Sequence, residues 1–230
     1  MSSPAISREV APRGNLRLVK LSDYPGRLSL KVLIKHALPR PGLAPGVAMW
    51  RLKNLPNLWR GLRTVMWAKI HRIPTLYGTL WLTHVKANGE KVQYGLASAR
   101  VVTTAGVNFI RDDFNNGAQD VSTMKYHGFG TGTNAEATGD TALQTELTTE
   151  YATDNTRPTG TQTTNGTGVY ETVATLDPDN AVTITEHGIF SQAANSGGTL
   201  LDRSKFTGVA VAASGDSLQA TYDFTITAGS

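Results

Sequence analysis

Residues 75–102 read TLYGTLWLTHVKANGEKVQYGLASARVV. Two alternating runs flank Asn88-Gly89. That dipeptide is a strong hairpin signal, because a tight two-residue turn needs positive φ at its centre. In the first run Leu80, Leu82 and His84 share one face, and Trp81, Thr83 and Val85 share the other. The reading is an antiparallel hairpin.

Downstream the same cadence continues. The runs 168–176, 181–190, 205–213 and 218–227 are β-branched. Asp177-Pro178-Asp179-Asn180, Asn195-Ser196-Gly197-Gly198 and Ser214-Gly215-Asp216 separate them. Strands spaced this way imply an antiparallel β-sandwich, jelly-roll-like, rather than βαβ units. The chain is therefore expected to be mainly β, with a sandwich domain over 73–230. One short helix is predicted over 140–151, with Asp140 as its N-cap. Residues 111–117, RDDFNNG, read as a turn between strands. They do not carry calcium-loop spacing.

Upstream the character changes. Residues 1–72 hold fourteen Lys and Arg against two acids, while 73–230 hold eight against sixteen. A basic front third on an acidic body either docks on something acidic or folds against its own body. LRLVKL (16–21) and LSLKVLIK (28–35) read as short strands around the turn Asp23-Tyr24-Pro25-Gly26. Prolines and glycines make a stiff linker of 39–46. Over 50–70, Trp50, Leu52, Leu55, Leu58, Leu62, Val65 and Ile70 recur at three- and four-residue steps. That predicts one basic amphipathic helix, capped by Asn54 with Pro56 in its first turn. Such a helix lies on a membrane surface, in a partner's groove, or on its own body.

The chain has no cysteine, so disulfides, thiol nucleophiles and thiolate metal sites are excluded. No apolar run is long enough to span a bilayer, and the first residues lack a signal-peptide core. GFGTGTNA (128–135) is not followed by the Lys-Ser/Thr of a phosphate loop and reads as a tight surface loop. The histidines show no metal-ligand spacing. A zinc site could still assemble in space from His127, His187 and a carboxylate, but nothing in the spacing calls for one. TITEHGIF (183–190) places Glu186 beside His187. Strict alternation puts Ile184 and Glu186 on one face and Thr185 and His187 on the other, so the pair is not an acid/base dyad. Glu186 is expected to accept hydrogen bonds from backbone or from Arg203. No catalytic residue, metal site or cofactor is assigned.

The strings YGLASARVVTTAGVNFIRDDF, KYHGFGTGTNAEATGDTALQTEL, YETVATL, ITEHGIFSQAANSGGTLLDRSKF and DSLQATYDFTIT resemble a widespread group of tailed-bacteriophage virion proteins. More loosely, they resemble the N-terminal modules of phage tail-collar and tail-fibre proteins. The matching positions are Gly130–Thr133 (with Gly132), Asp140–Leu143, Glu146, Ile184, Glu186, Gly188–Phe190, Gly198, Leu200, Leu201, Arg203 and Phe206. The likeness covers a little over half the chain, and residues 1–72 lie outside it.

The resemblance implies a non-enzymatic virion structural protein made in the host cytoplasm. It implies no nucleic-acid or membrane partner. Capsid decoration (cement) is the reading for a basic arm, with Trp50, Trp59, Arg60, Leu62, Arg63, Met66, Trp67 and Lys69 gripping a major capsid protein or another virion subunit. A homo-oligomer on the particle is expected. A tail, collar, baseplate or tail-fibre adaptor is the alternative, and a receptor- or glycan-binding sandwich is another. The loops are poor in aromatics apart from Tyr126 and Phe129. Removal of residues 1–72 is expected to leave a folded body.

Overall fold

The structure is a computed structural model and describes residues 29–117, 119–212 and 215–227. The order of elements is α1 (Leu30–His36), α2 (Pro45–Ile70), β1 (Leu76–Val85), β2 (Lys91–Val101), α3 (Thr104–Asn116), β3 (Tyr126–Gly130), β4 (Thr161–Thr164), β5 (Val169–Leu176), β6 (Val182–Phe190), β7 (Leu200–Val211) and β8 (Ser217–Ile226). The strands form a five-stranded sheet, β2-β1-β8-β5-β4, and a three-stranded sheet, β3-β6-β7. Every pairing between these strands is antiparallel.

The β1–β2 hairpin turns at Asn88-Gly89 as the sequence implies, with Gly89 at φ +84°. The two faces of β1 have different work. Leu80 and Leu82 join Ala97, Leu176, Leu218 and Ala220 on the inner face of the large sheet. They meet Phe129, Ile184, Phe206, Val209 and Val211 of the small one. On the other face of β1, Tyr77 and Trp81 pack with Leu96 and Ala99 against Val32 of α1 and Leu58, Leu62 and Val65 of α2. Burying a side chain of this size contributes about 1.5–3 kcal/mol, so both layers matter to the fold. α3 lies on β7, and its Phe109 fills a third cluster with Val102, Met124, Leu201 and Phe224.

α2 also closes the seam where edge strands β2 and β7 approach. Asn54 donates to the Ala97 carbonyl of β2 (2.8 Å) and accepts from the Thr207 amide of β7 (2.8 Å). The Trp50 indole donates to the Thr207 carbonyl at 2.7 Å. Edge strands expose unpaired backbone groups, and here a helix satisfies some of them. Gly61 lets the helix sit this close. A Cβ there would overlap the Ala99 carbonyl oxygen of β2. Arg51 ties α1 to the rest, donating to Tyr94 O (2.8 Å), Lys35 O (3.1 Å) and Leu38 O (3.2 Å). The described part of the front third is thus packed onto the sandwich. Residues 1–72 supply the helical wall of the cluster around Trp81, and Trp50 to the main core.

Several expectations are corrected. Residues 30–36 are helical, not extended. Ser29 Oγ accepts from the Val32 amide at 3.2 Å and caps the helix. Leu30, Leu33, Ile34 and Ala37 have helical spacing as well as alternating neighbours, so the segment fits either state. The predicted strand 16–21 and turn 23–26 lie outside the described residues. α2 begins at Pro45, inside the expected linker, because proline is well suited to a first helical turn. Asn54 is therefore interior rather than an N-cap, and Pro56 lies mid-helix, on the exposed side. Among the described residues two helices precede the sandwich, not one. Residues 111–117 complete α3, which is capped by Thr103 at its start and by left-handed Gly117 at its end. Residues 140–151 form no helix, because their amides bond elsewhere.

Candidate functional site

The motif positions converge on one carboxylate. Glu186 is fully buried on β6. It accepts from the backbone amides of Gly132 (3.0 Å), Gln144 (3.1 Å) and Thr145 (2.8 Å) and from Arg203 Nε (2.8 Å). The same Arg203 donates to Asp140 Oδ2 at 3.0 Å, and Asp140 in turn accepts from the Ala137 amide at 2.8 Å. A side chain at Gly132 would overlap Glu186 Oε1, which explains the glycine. Burial opposes the Arg203 charge, but the hydrogen bonds and charges of Asp140 and Glu186 outweigh it and raise its pKa. The carboxylate thus pins the 131–147 loop to the sheet, and this is why Asp140 and the amides of 144 and 145 do not build a helix.

The expected partners of Glu186 are present, but the strict alternation is not. Thr185 Oγ1 donates to Gly132 O (2.8 Å), so Thr185 and Glu186 serve the same loop. Ile184 and His187 both reach the interior. A register shift lies at the same point. Ile184 pairs with Val209 but Glu186 pairs with Lys205, so β7 carries extra residues between them. Gly188 and Phe190 follow on β6, and Phe206 enters the main core.

A second network holds the 191–198 loop. Arg157, nearly fully buried, is paired bidentately with Glu146 (2.5 and 2.9 Å). It also donates to the carbonyls of Gln192 (2.9 Å), Ala194 (3.0 Å), Asn195 (3.1 Å) and Gly197 (2.8 Å), with its guanidinium 3.5 Å above the Phe190 ring. A planar five-donor fork suits such a cage, and a lysine would not.

His127 and His187 do meet. His127 Nδ1 lies 3.0 Å from His187 Nε2, and His127 Nε2 lies 3.2 Å from Thr172 Oγ1, all within the core. Among the described residues no third ligand-type side chain joins them. Burial lowers the pKa of both, that of His187 to about 3, so both rings are neutral and one N–H lies between them. Glu171 and Asp223 face each other across β5 and β8, and Asn165 bridges them at 2.9 and 3.3 Å. Burial first, then Asp223, pushes the Glu171 carboxyl up to about 8. Arg157 and this carboxylate pair were not singled out by sequence, because isolated charges in β-rich sequence carry no spacing signal.

The residues expected to grip a partner divide into two groups. Trp50 and Leu62 are buried in the protein's own core. Trp59, Arg60, Arg63, Met66, Trp67 and Lys69 remain exposed on the far side of α2. Trp59 is 61 % and Trp67 55 % exposed, and Met49, Leu52 and Ile70 extend the strip. A helix that is apolar on both faces is ordinarily buried on both. Of the loop aromatics, Phe129 is fully buried and Tyr126 half-buried on β3. No protein-family model, curated protein or solved structure matches the chain. No helix among the described residues is long and apolar enough to cross a membrane.

Proposed function

We propose that the protein is a structural component of a phage virion, most specifically a capsid decoration protein attached through the outer face of α2. The observation that supports this is the exposed strip of Trp59, Met66, Trp67 and Ile70, bordered by Arg60, Arg63 and Lys69. An apolar patch of this kind with a basic rim suits an acidic protein surface. Large aromatics at an interface supply most of its binding energy. The resemblance of residues 94–227 to virion proteins gives the setting. The loop-pinning motif residues supply a rigid body.

A tail, collar or baseplate component is the second reading, and it uses the same face. Imaging particles that carry a labelled copy separates the two. Hundreds of copies over the head support decoration, and a handful at one vertex or along the tail refutes it. A glycan-binding sandwich is less well supported, since Phe129 is not at a loop tip.

A further inference from the structure

Between α2 and the start of the pinned loop lies a cleft of about 190 Å³, lined chiefly by Arg60, Arg63, Arg100, Arg203, Glu136 and Thr138. Its charges are unevenly matched. Arg203 is more than neutralised, one guanidinium facing two carboxylates, Asp140 and Glu186. Arg100 and Arg60 share one acid, Glu136, with Arg60 at 3.5 Å. Arg63 is exposed and makes no ion pair among the described residues. Hydrogen-bond capacity is also unspent. Arg100 Nε is buried without a partner. Asp202 also interacts with Arg100, and burial raises its pKa to about 7, so it offsets only part of the positive charge. The cleft opens beside α2, where Trp59 and Trp67 flank the two surface arginines.

We propose that this cleft seats a carboxylate side chain from an acidic segment of the protein partner, whose apolar residues lie on Trp59, Met66 and Trp67. The inference rests on the reading of α2 as the attachment face and adds the chemistry of what binds there. Glu136 shows that the cleft accepts a carboxylate. The surplus of guanidinium donors leaves room for a second, held bidentately. Arg63 is the residue free to take it, with Arg60 turning from Glu136 to share it.

The test titrates the full chain by isothermal calorimetry and amide NMR with three probes: a blocked Leu-Glu-Leu-Glu-Leu peptide, its Gln analogue and inorganic phosphate. The expected result is binding of the Glu peptide with shifts at 60–64 and 136–138. The Gln analogue should bind at least about tenfold more weakly, and Arg63→Ala should weaken the Glu peptide about fivefold or more with an unchanged melting temperature. Equal binding of Glu and Gln peptides, or no effect of Arg63→Ala and of Arg60→Ala, overturns the proposal. Saturation of the same amides by phosphate at lower concentration than by the Glu peptide overturns the carboxylate assignment. Particle binding that survives Arg63→Ala and Arg60→Ala but is lost in Trp59→Ala leaves attachment through α2 standing and sinks the cleft. Glu-peptide binding to the cleft by a protein that binds no particle supports the cleft and sinks the attachment.

Discussion

The buried histidine pair gives a quantitative prediction about pH. His187 has an ordinary value of 6.5 and is held near 3 in the folded state by burial. The unfolded chain therefore takes up this proton first. The stability contributed by keeping His187 neutral is complete above about 6.5 and is lost as pH falls towards 3. At about 1.4 kcal/mol per unit, acidification from pH 7 to pH 5 costs roughly 2 kcal/mol. Asp202 acts with the opposite sign. Its folded-state value is raised from 3.8 to about 7, so the folded protein binds that proton first and gains roughly 2 kcal/mol over the same interval. The raised Glu171 adds to the gain. The buried carboxyls thus oppose the loss from His187 in the wild-type curve, and variants separate the contributions. His187→Gln should gain roughly 2 kcal/mol on wild type between pH 7 and pH 5, and Asp202→Asn should lose about as much. Urea unfolding at the two pH values measures this as a relative midpoint shift of about 1 M for an m-value near 2 kcal/mol/M. Only the change with pH counts, so a constant cost of either substitution does not matter. Curves for His187→Gln and wild type that stay parallel within about 0.5 kcal/mol would refute the reasoning.

Other substitutions test other contacts. Gly61→Ala forces α2 off the Ala99 carbonyl and should cost about 3 kcal/mol, at the upper end of overpacking, as a lowered melting temperature. Glu186→Gln leaves Arg203 half-paired and should cost about 3–5 kcal/mol, with amide exchange rising first at residues 132, 144 and 145. Protection at those amides equal to wild type would show that the carboxylate does not hold the loop. Trp59→Ala and Trp67→Ala, on exposed rings, should change stability by no more than about 0.5 kcal/mol in the same melts. Attachment to particles should weaken as salt rises above about 0.1 M, where charges are screened beyond ~10 Å.

What the sequence disclosed follows from how local each signal is. The Asn88-Gly89 hairpin and the four C-terminal strands were legible because turn chemistry and alternation lie within a few residues. The Glu186–Arg203 pair was legible because a buried carboxylate needs a donor and an arginine lay one hairpin away. The buried face of α2 was legible only in part, through Trp50, Leu58, Leu62 and Val65. It also uses Arg51, Asn54 and Gly61, whose roles are to satisfy and approach the backbone of β2 and β7, and no hydrophobic count marks them. α3 was missed because Asp112, Asp113, Asn115 and Asn116 favour turns, while the tertiary contact of Phe109 decides the matter. The meeting of His127 with His187 depends on the β3–β6 pairing, which brings together residues far apart in the chain.

The most direct test of attachment through α2 is co-sedimentation of the full chain, and of its Trp59→Ala/Trp67→Ala variant, with purified phage heads lacking the protein. Wild type should pellet with the heads to saturation. The variant should remain in the supernatant while melting at the wild-type temperature. A variant that pellets as wild type does would contradict the account.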